Sequence, residues 1–150
     1  AKVEDHVVHG KTCKCCVHRK GATRALGGDH TELASRFSSV GQPVLVPGDM
    51  GTASWVLAGP TKGGNDAFSS SCHGAGRQLS RTAARKSVNA RALMDRLEQQ
   101  GVHVRAKTPN VLSEEAPEAY KDVDDVVRLT EKARLARPVA RLRPLAVIKG

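Results

Sequence analysis

His73 stands directly before Gly74-Ala75-Gly76, and Arg77 follows at once; residues 69–81 read SSSCHGAGRQLSR. A neutral imidazole can attack an α-phosphorus and carry a nucleotide as a phosphoramidate. That chemistry needs the phosphates held still beside it. Backbone N–H groups at a glycine turn that opens a helix do this at low cost, because the helix dipole also favours negative charge. If residues 77–87 form a helix, Arg77, Arg81 and Arg85 fall at i, i+4 and i+8 and line one face. Lys86 and Arg91 add to it, against the single acid Asp95 before Arg96. The competing reading is a histidine packed beside a structural glycine turn, and four residues alone do not separate the two.

A second glycine turn, Pro47-Gly48-Asp49-Met50-Gly51-Thr52-Ala53-Ser54, lies between two apolar runs. Its hydroxyls and small residues could wrap a base or ribose, or it could be an ordinary hairpin loop. Lys149, in Val147-Ile148-Lys149-Gly150, reads on its own as a solvated lysine. Cys13, Cys15, Cys16 and His18 invite a zinc reading. A structural zinc site wants a second ligand pair downstream, and none is present. On a strand, Cys13 and Cys15 would share one face while Cys16 and His18 share the other, so strand packing is the expectation and no metal ligand is assigned.

The elements that must position these groups read as follows. Residues 1–21 suit two strands around a Gly10-Lys11 turn, with Val3, His6, Val8, Cys15 and Val17 half buried. Residues 27–42 are loop-like. Residues 43–60 read as strand, glycine turn, strand, and 69–72 as a strand. Residues 89–100 form a helix whose apolar face holds Ala92, Leu93 and Leu97, ended at Gly101. A short strand covers 102–107, a short helix with an acidic first turn begins in 113–120, a helix spans 123–135, and 142–150 close the chain as a strand. Strands and helices mix without a strict βαβ rhythm, so the expected class is α+β, with mixed or antiparallel sheets and flanking helices.

The chain has 150 residues, enough to bury roughly 70% of its unfolded surface in one core. Aromatic residues make up only 3%, so the core must be Val, Leu and Ala, and few rings can stack on bases. The formal net charge is +9, which favours polyanionic partners. No apolar run reaches the roughly 20 residues of a membrane span, and no membrane role is expected. Three of the four cysteines crowd into residues 13–16, poor geometry for a disulfide framework; a reducing, cytoplasmic compartment is expected. A strand pattern that starts at Ala1 reads as a piece of a larger domain, whose sheet would continue upstream and leave an exposed edge.

Taken together and in order, HVVHG, VHRKGATRA, GQPVLVPGDMGTASWVLAG, SCHGAGRQLSR, EEAPEAYKDVDDVV and LRPLAVIKG resemble the C-terminal part of the RtcB family of RNA-splicing ligases, across residues 1–150. Any one block is weak; six in order are specific. The resemblance implies an enzyme that joins an RNA 3′-phosphate or 2′,3′-cyclic phosphate to an RNA 5′-hydroxyl, tRNA exons included, using GTP and Mn2+. It implies that His73 becomes guanylylated. Pro47, Gly48, Asp49, Met50 and Ser54 match the family's guanosine-nucleotide pocket. Gly74, Ala75 and Gly76 match its phosphate and ribose wall, Lys149 a residue that reaches the guanine, and Tyr120 a further lining residue. Arg77 and Arg81 would hold RNA or nucleotide phosphates. The family's metal ligands would lie upstream of Ala1, so residues 1–150 alone are expected to be inactive or nearly so. An activating protein is an open further partner. The alternative is a non-catalytic RNA- or nucleotide-binding module that uses the same basic residues without chemistry at His73.

Overall fold

The computed structural model describes residues 1–64 and 66–150. The chain opens with a hairpin of β1 (Lys2–Val8) and β2 (Lys11–Val17), antiparallel with Val8 opposite Lys11. His9 and Gly10 make the turn with φ of 49° and 76°. A two-residue turn matching strand twist needs both values positive, so the turn sits one residue before the expected Gly10-Lys11. Alternation half-buries Glu4, His6 and Val8 in β1 and Cys15 and Val17 in β2; of the five residues expected to be half buried, only Val3 is exposed.

β3 (Ala22–Arg24) pairs antiparallel with β6 (Ser70–Cys72). β4 (Pro43–Val46), β5 (Ser54–Ala58) and β8 (Arg137–Leu142) form an antiparallel three-stranded sheet in the order β4-β5-β8. β7 (His103–Ala106) runs parallel to β9 (Ala146–Lys149). The α+β expectation holds. Two strands had no clear sequence signal. β3 is three residues long, and β8 reads RPVARL, with a proline and two arginines. β8 is an edge strand, and Pro138 pairs with Leu57 beside a register shift between Val56 and Leu57. Edges and bulges are where a missing N–H is tolerated.

α1 (Arg81–Ser87) starts four residues later than expected. Ser80 caps it, its Oγ accepting the Ala83 N–H at 3.1 Å. The N–H groups of Gln78 and Leu79 donate instead to the Ala119 carbonyl, at 2.8 and 3.2 Å. Arg77 lies in an isolated bridge with Tyr120. So Arg77 does not share a helical face with Arg81 and Arg85. The glycine turn does not run into a helix N-terminus, and the phosphate nest expected there is not formed in that way.

α2 (Ala90–Gln99) buries Leu93 and Leu97 and is capped by Asn89. α3 (Pro109–Glu114) is capped by Thr108. A single 3-10 turn follows at Pro117–Ala119, so the short helix expected within 113–120 lies mostly earlier. α4 (Val123–Lys132) is capped by Asp122 and ends three residues before the expected 135. Closing residues 142–150 are only partly strand.

Two apolar clusters result. The first joins Ala25, Val44, Val46, Ala53, Leu57, Ala75 and Val123; the second joins Met50, Leu93, Leu97, Val104 and Leu112. They are largely Val, Leu and Ala, as the low aromatic content required. The loop between β4 and β5 supplies Ala53 to the first and Met50 to the second, so it is clamped from both sides. No helix among the described residues is long and apolar enough to cross a membrane.

Candidate functional site

The β4–β5 loop is rigid because of its own polar groups. Asp49 Oδ1 accepts from the N–H of Gly51 at 2.8 Å and of Thr52 at 3.0 Å, and its Oδ2 accepts from the Thr52 hydroxyl at 2.8 Å. Ser54 Oγ accepts from the Gly48 N–H at 3.2 Å. A Cβ on Gly48 would stand 1.7 Å from the Ala53 carbonyl oxygen, so only glycine closes this loop. The Asp49 carboxylate and the Ser54 hydroxyl are therefore engaged in building the wall.

Against that loop lies the HGAG turn. A Cβ on Gly74 would come 3.4 Å from the Pro47 carbonyl oxygen. Ala75 is buried in the first core cluster, and the Gly76 carbonyl accepts from the Lys121 N–H at 2.9 Å. His73 follows β6, its N–H bonded to the Gly21 carbonyl at 3.3 Å and its side chain exposed. No hydrogen bond or ion pair among the described residues engages its imidazole. The two glycine turns, 21 residues apart between His73 and Thr52 in sequence, thus meet at Pro47 and Gly74.

A cavity of about 300 Å³ opens beside this junction, lined by Gly48, Asp49, Met50, Tyr120, Lys149 and Glu115, and by Pro144 and β9 residues. Five of the expected pocket residues thus share one cavity. Pro47, Ser54, His73, Gly74, Ala75 and Gly76 do not line it. Pro47 and Gly74 adjoin its rim through Gly48, while Ser54 braces the loop from behind.

Glu115 is the residue the sequence reading passed over. It accepts the hydrogen bond of the Tyr120 hydroxyl and pairs with Arg77, whose Nη1 is 3.2 Å from Oε1. Arg77 Nη1 also donates to the Tyr120 oxygen at 2.9 Å, and its guanidinium stacks 4.8 Å over the Tyr120 ring. Its remaining donors reach the carbonyls of Leu79 and Glu114. Burial, and then the Glu115 carboxylate, push the Tyr120 hydroxyl above its ordinary pKa, so it stays a donor at neutral pH. The only signal for Glu115 was its place in the EEAPEAY block.

The two arginines expected to hold phosphate are thereby separated. Arg77 is spent inside the cavity wall. Arg81 stands outside, 66% exposed, with its Nε 3.6 Å from Glu115 and 3.8 Å from Glu114. Such exposed pairs are weak, and a phosphate can compete for the guanidinium. Arg85 pairs with Glu114 at 3.2 Å. In the hairpin, Cys16 Sγ lies 3.7 Å from His18 Nε2. No three His, Cys, Asp or Glu side chains among the described residues converge to hold a metal ion.

Comparison with known proteins agrees with the block order. The family model described as tRNA-splicing ligase RtcB matches residues 1–150. The tRNA-splicing ligase RtcB of Archaeoglobus fulgidus is 51% identical over all 150 residues, and that of Thermococcus kodakarensis 52%. The RNA-splicing ligase RtcB of Mycobacterium bovis is 51% identical over the same span. The chain covers 31%, 31% and 34% of these relatives' own lengths, about a third of each. Both the family model and this level of identity extend over the whole chain, and the chain belongs to the RtcB family.

Proposed function

We propose that this chain is the C-terminal, nucleotide-carrying portion of a GTP-dependent RNA ligase, acting in tRNA splicing or RNA repair in the cytoplasm. The observation that carries the reading is the junction of the two glycine turns: Gly74, next to exposed His73 in sequence, meets Pro47, whose neighbour Gly48 lines a cavity with Tyr120 and Lys149. The residues fit a guanine nucleotide. Tyr120 offers a ring held in place, Lys149 an ammonium, and the glycine backbones allow close approach to phosphate and ribose. Arg81 can exchange its weak, exposed pairs with Glu114 and Glu115 for a phosphate.

The chemistry divides into balanced steps. Water opens a 2′,3′-cyclic phosphate to the 3′-monophosphate. The His73 imidazole forms an N–P bond to the α-phosphorus of GTP as the P–O bond to pyrophosphate breaks. The RNA 3′-phosphate then takes the guanylate and His73 is released. Last, the 5′-hydroxyl attacks the activated phosphate and GMP leaves. Ordering His73 against the nucleotide is this chain's contribution. Manganese is a different matter. No three His, Cys, Asp or Glu side chains among the described residues converge to hold it, and the reading assigns its ligands to the part of the full-length ligase that this chain, about a third of its relatives' length, does not cover. Ligation by residues 1–150 alone is accordingly absent or nearly so.

The test is intact-mass spectrometry after incubation with GTP and Mn2+, on this chain and on a form extended upstream, with His73→Ala as control. One acid-labile GMP on the extended protein, absent from the variant, supports the ligase. A bare short chain beside a labelled long one supports the upstream metal site. No adduct on either leaves the non-catalytic nucleotide- or RNA-binding module.

A further inference from the structure

At the other end of the β4–β5 hairpin from the loop just described lies a separate cavity of about 470 Å³. It is lined by Pro60, Thr61, Lys62, Glu131, Arg134, Ala136 and Arg137. Three cations meet there around one carboxylate, on a floor that includes buried Ala136. Elsewhere many arginines are matched with acids: Arg19 with Glu4, Arg24 with Glu32, Arg96 with Glu118, Arg141 with Asp124. Lys62, Arg134 and Arg137 are in no ion pair among the described residues. The guanidinium of Arg137 is steadied by one bond, Nη2 to the Val40 carbonyl at 2.7 Å, which leaves its other donors facing out.

Arg134 is the informative residue. Its φ is +56°, left-handed. It occupies the position just past the end of α4, where its N–H bonds the Glu131 carbonyl at 2.8 Å and the Leu135 N–H bonds the Thr130 carbonyl at 3.1 Å. This pair of bonds is the helix ending in which glycine is strongly preferred, because a Cβ is strained there. An arginine accepts that strain here and delivers its side chain to the cavity. Backbone strain at a charged residue facing an open cavity points to a ligand. The same two bonds satisfy helix-end carbonyls that would otherwise repel an anion.

We propose that Lys62, Arg134 and Arg137 form a second contact for the ribose-phosphate backbone of RNA, away from the nucleotide cavity. It rests on the RNA reading above. β5 is five residues long, so this contact sits about 17 Å from the β4–β5 loop at 3.3 Å per residue. A single RNA strand can reach both. The cations position the strand and read no sequence.

The test is fluorescence anisotropy with labelled single-stranded RNA bearing a 3′-phosphate, titrated over a salt series. The proteins are the wild type, Lys62→Ala/Arg134→Gly/Arg137→Ala, and a control triple of exposed lysines, Lys11→Ala/Lys14→Ala/Lys107→Ala, on other elements. Arg134→Gly relieves the left-handed strain, so the thermal midpoint of the first triple shows that it is folded. Each phosphate contact contributes about 0.7 to the slope of log K against log salt for a single strand. The expected result is a slope shallower by about 2 in the first triple, equally for RNAs of different sequence, and little change in the control. Equal slopes for wild type and first triple overturn the proposal, as does an equal loss in the control, which means diffuse binding. Unchanged RNA binding with a lowered midpoint in the upstream-extended protein also overturns it and assigns the cations to acids of that protein. Failure of every form to bind RNA strikes the RNA reading itself.

Discussion

Arg77 donates to the Tyr120 hydroxyl at 2.9 Å while its guanidinium lies 4.8 Å over the same ring. One side chain thus grips both the edge and the face of another, and Glu115 closes the triangle. Arg77→Lys cannot keep both contacts, because a lysine has no planar fork. We expect it to cost about 1–2 kcal/mol by leaving Glu115 and the Tyr120 oxygen under-satisfied, read as a lower urea midpoint. Tyr120→Phe keeps the ring but loses its tether; GMP labelling of the extended protein should weaken through GTP affinity more than through the maximal rate.

The two glycines at the junction should respond differently. Gly48→Ala forces a methyl against the Ala53 carbonyl at 1.7 Å and should break the loop, with loss of several kcal/mol or failure to fold. At Gly74 the same methyl meets the Pro47 oxygen at 3.4 Å. Gly74→Ala should change the thermal midpoint little and reduce guanylylation by crowding the space beside His73. Equal thermal damage in both variants would show that Gly74 is structural only.

Glu4 sets an acid limit on stability. Arg19 grips both its oxygens, at 3.0 and 2.7 Å, and this bidentate bond holds the carboxyl at about 2 against 4.5 for the free group. A depressed folded-state pKa contributes stability that is complete above 4.5 and is lost as pH falls toward 2. The contribution is about 2–3 kcal/mol at neutral pH, allowing for water at the hairpin edge. Arg19 also donates to Ser70 Oγ and the Phe68 carbonyl, so the loss loosens the hairpin from β6. Denaturant midpoints from pH 6 to pH 3 should fall for the wild type and stay flatter for Glu4→Gln.

Trp55 reports on the seam between β5 and α4. Its Nε1–H donates to Asp124 Oδ1 at 2.7 Å, and Arg141 is the main reason that carboxylate stays ionised to unusually low pH. As the chain's one tryptophan, it gives a clean signal. Asp124→Ala should red-shift its emission and cost about 1 kcal/mol; an unchanged spectrum would mean the bond is not held in solution.

The family was legible from the order of short blocks. His73 with its glycines, the PGDM turn and Lys149 are local patterns, each ambiguous alone and specific only through the order of the six blocks. The 89–100 helix was also legible, because Leu93 and Leu97 repeat with the helical period and Asn89 and Gly101 bracket it. The fate of Arg77 was not. Its spacing to Arg81 and Arg85 suited a helix, yet the Gln78 and Leu79 N–H groups found the Ala119 carbonyl, about 40 residues away. β3 and β8 were hidden for the same reason: short or charged strands form only because a partner supplies the other half of the ladder. Local propensity decides which pieces exist and what each could do. Long-range hydrogen bonds and burial decide which pieces meet, and so they set Glu115 against Tyr120, turned Arg77 inward and drew the cations around Arg134 together.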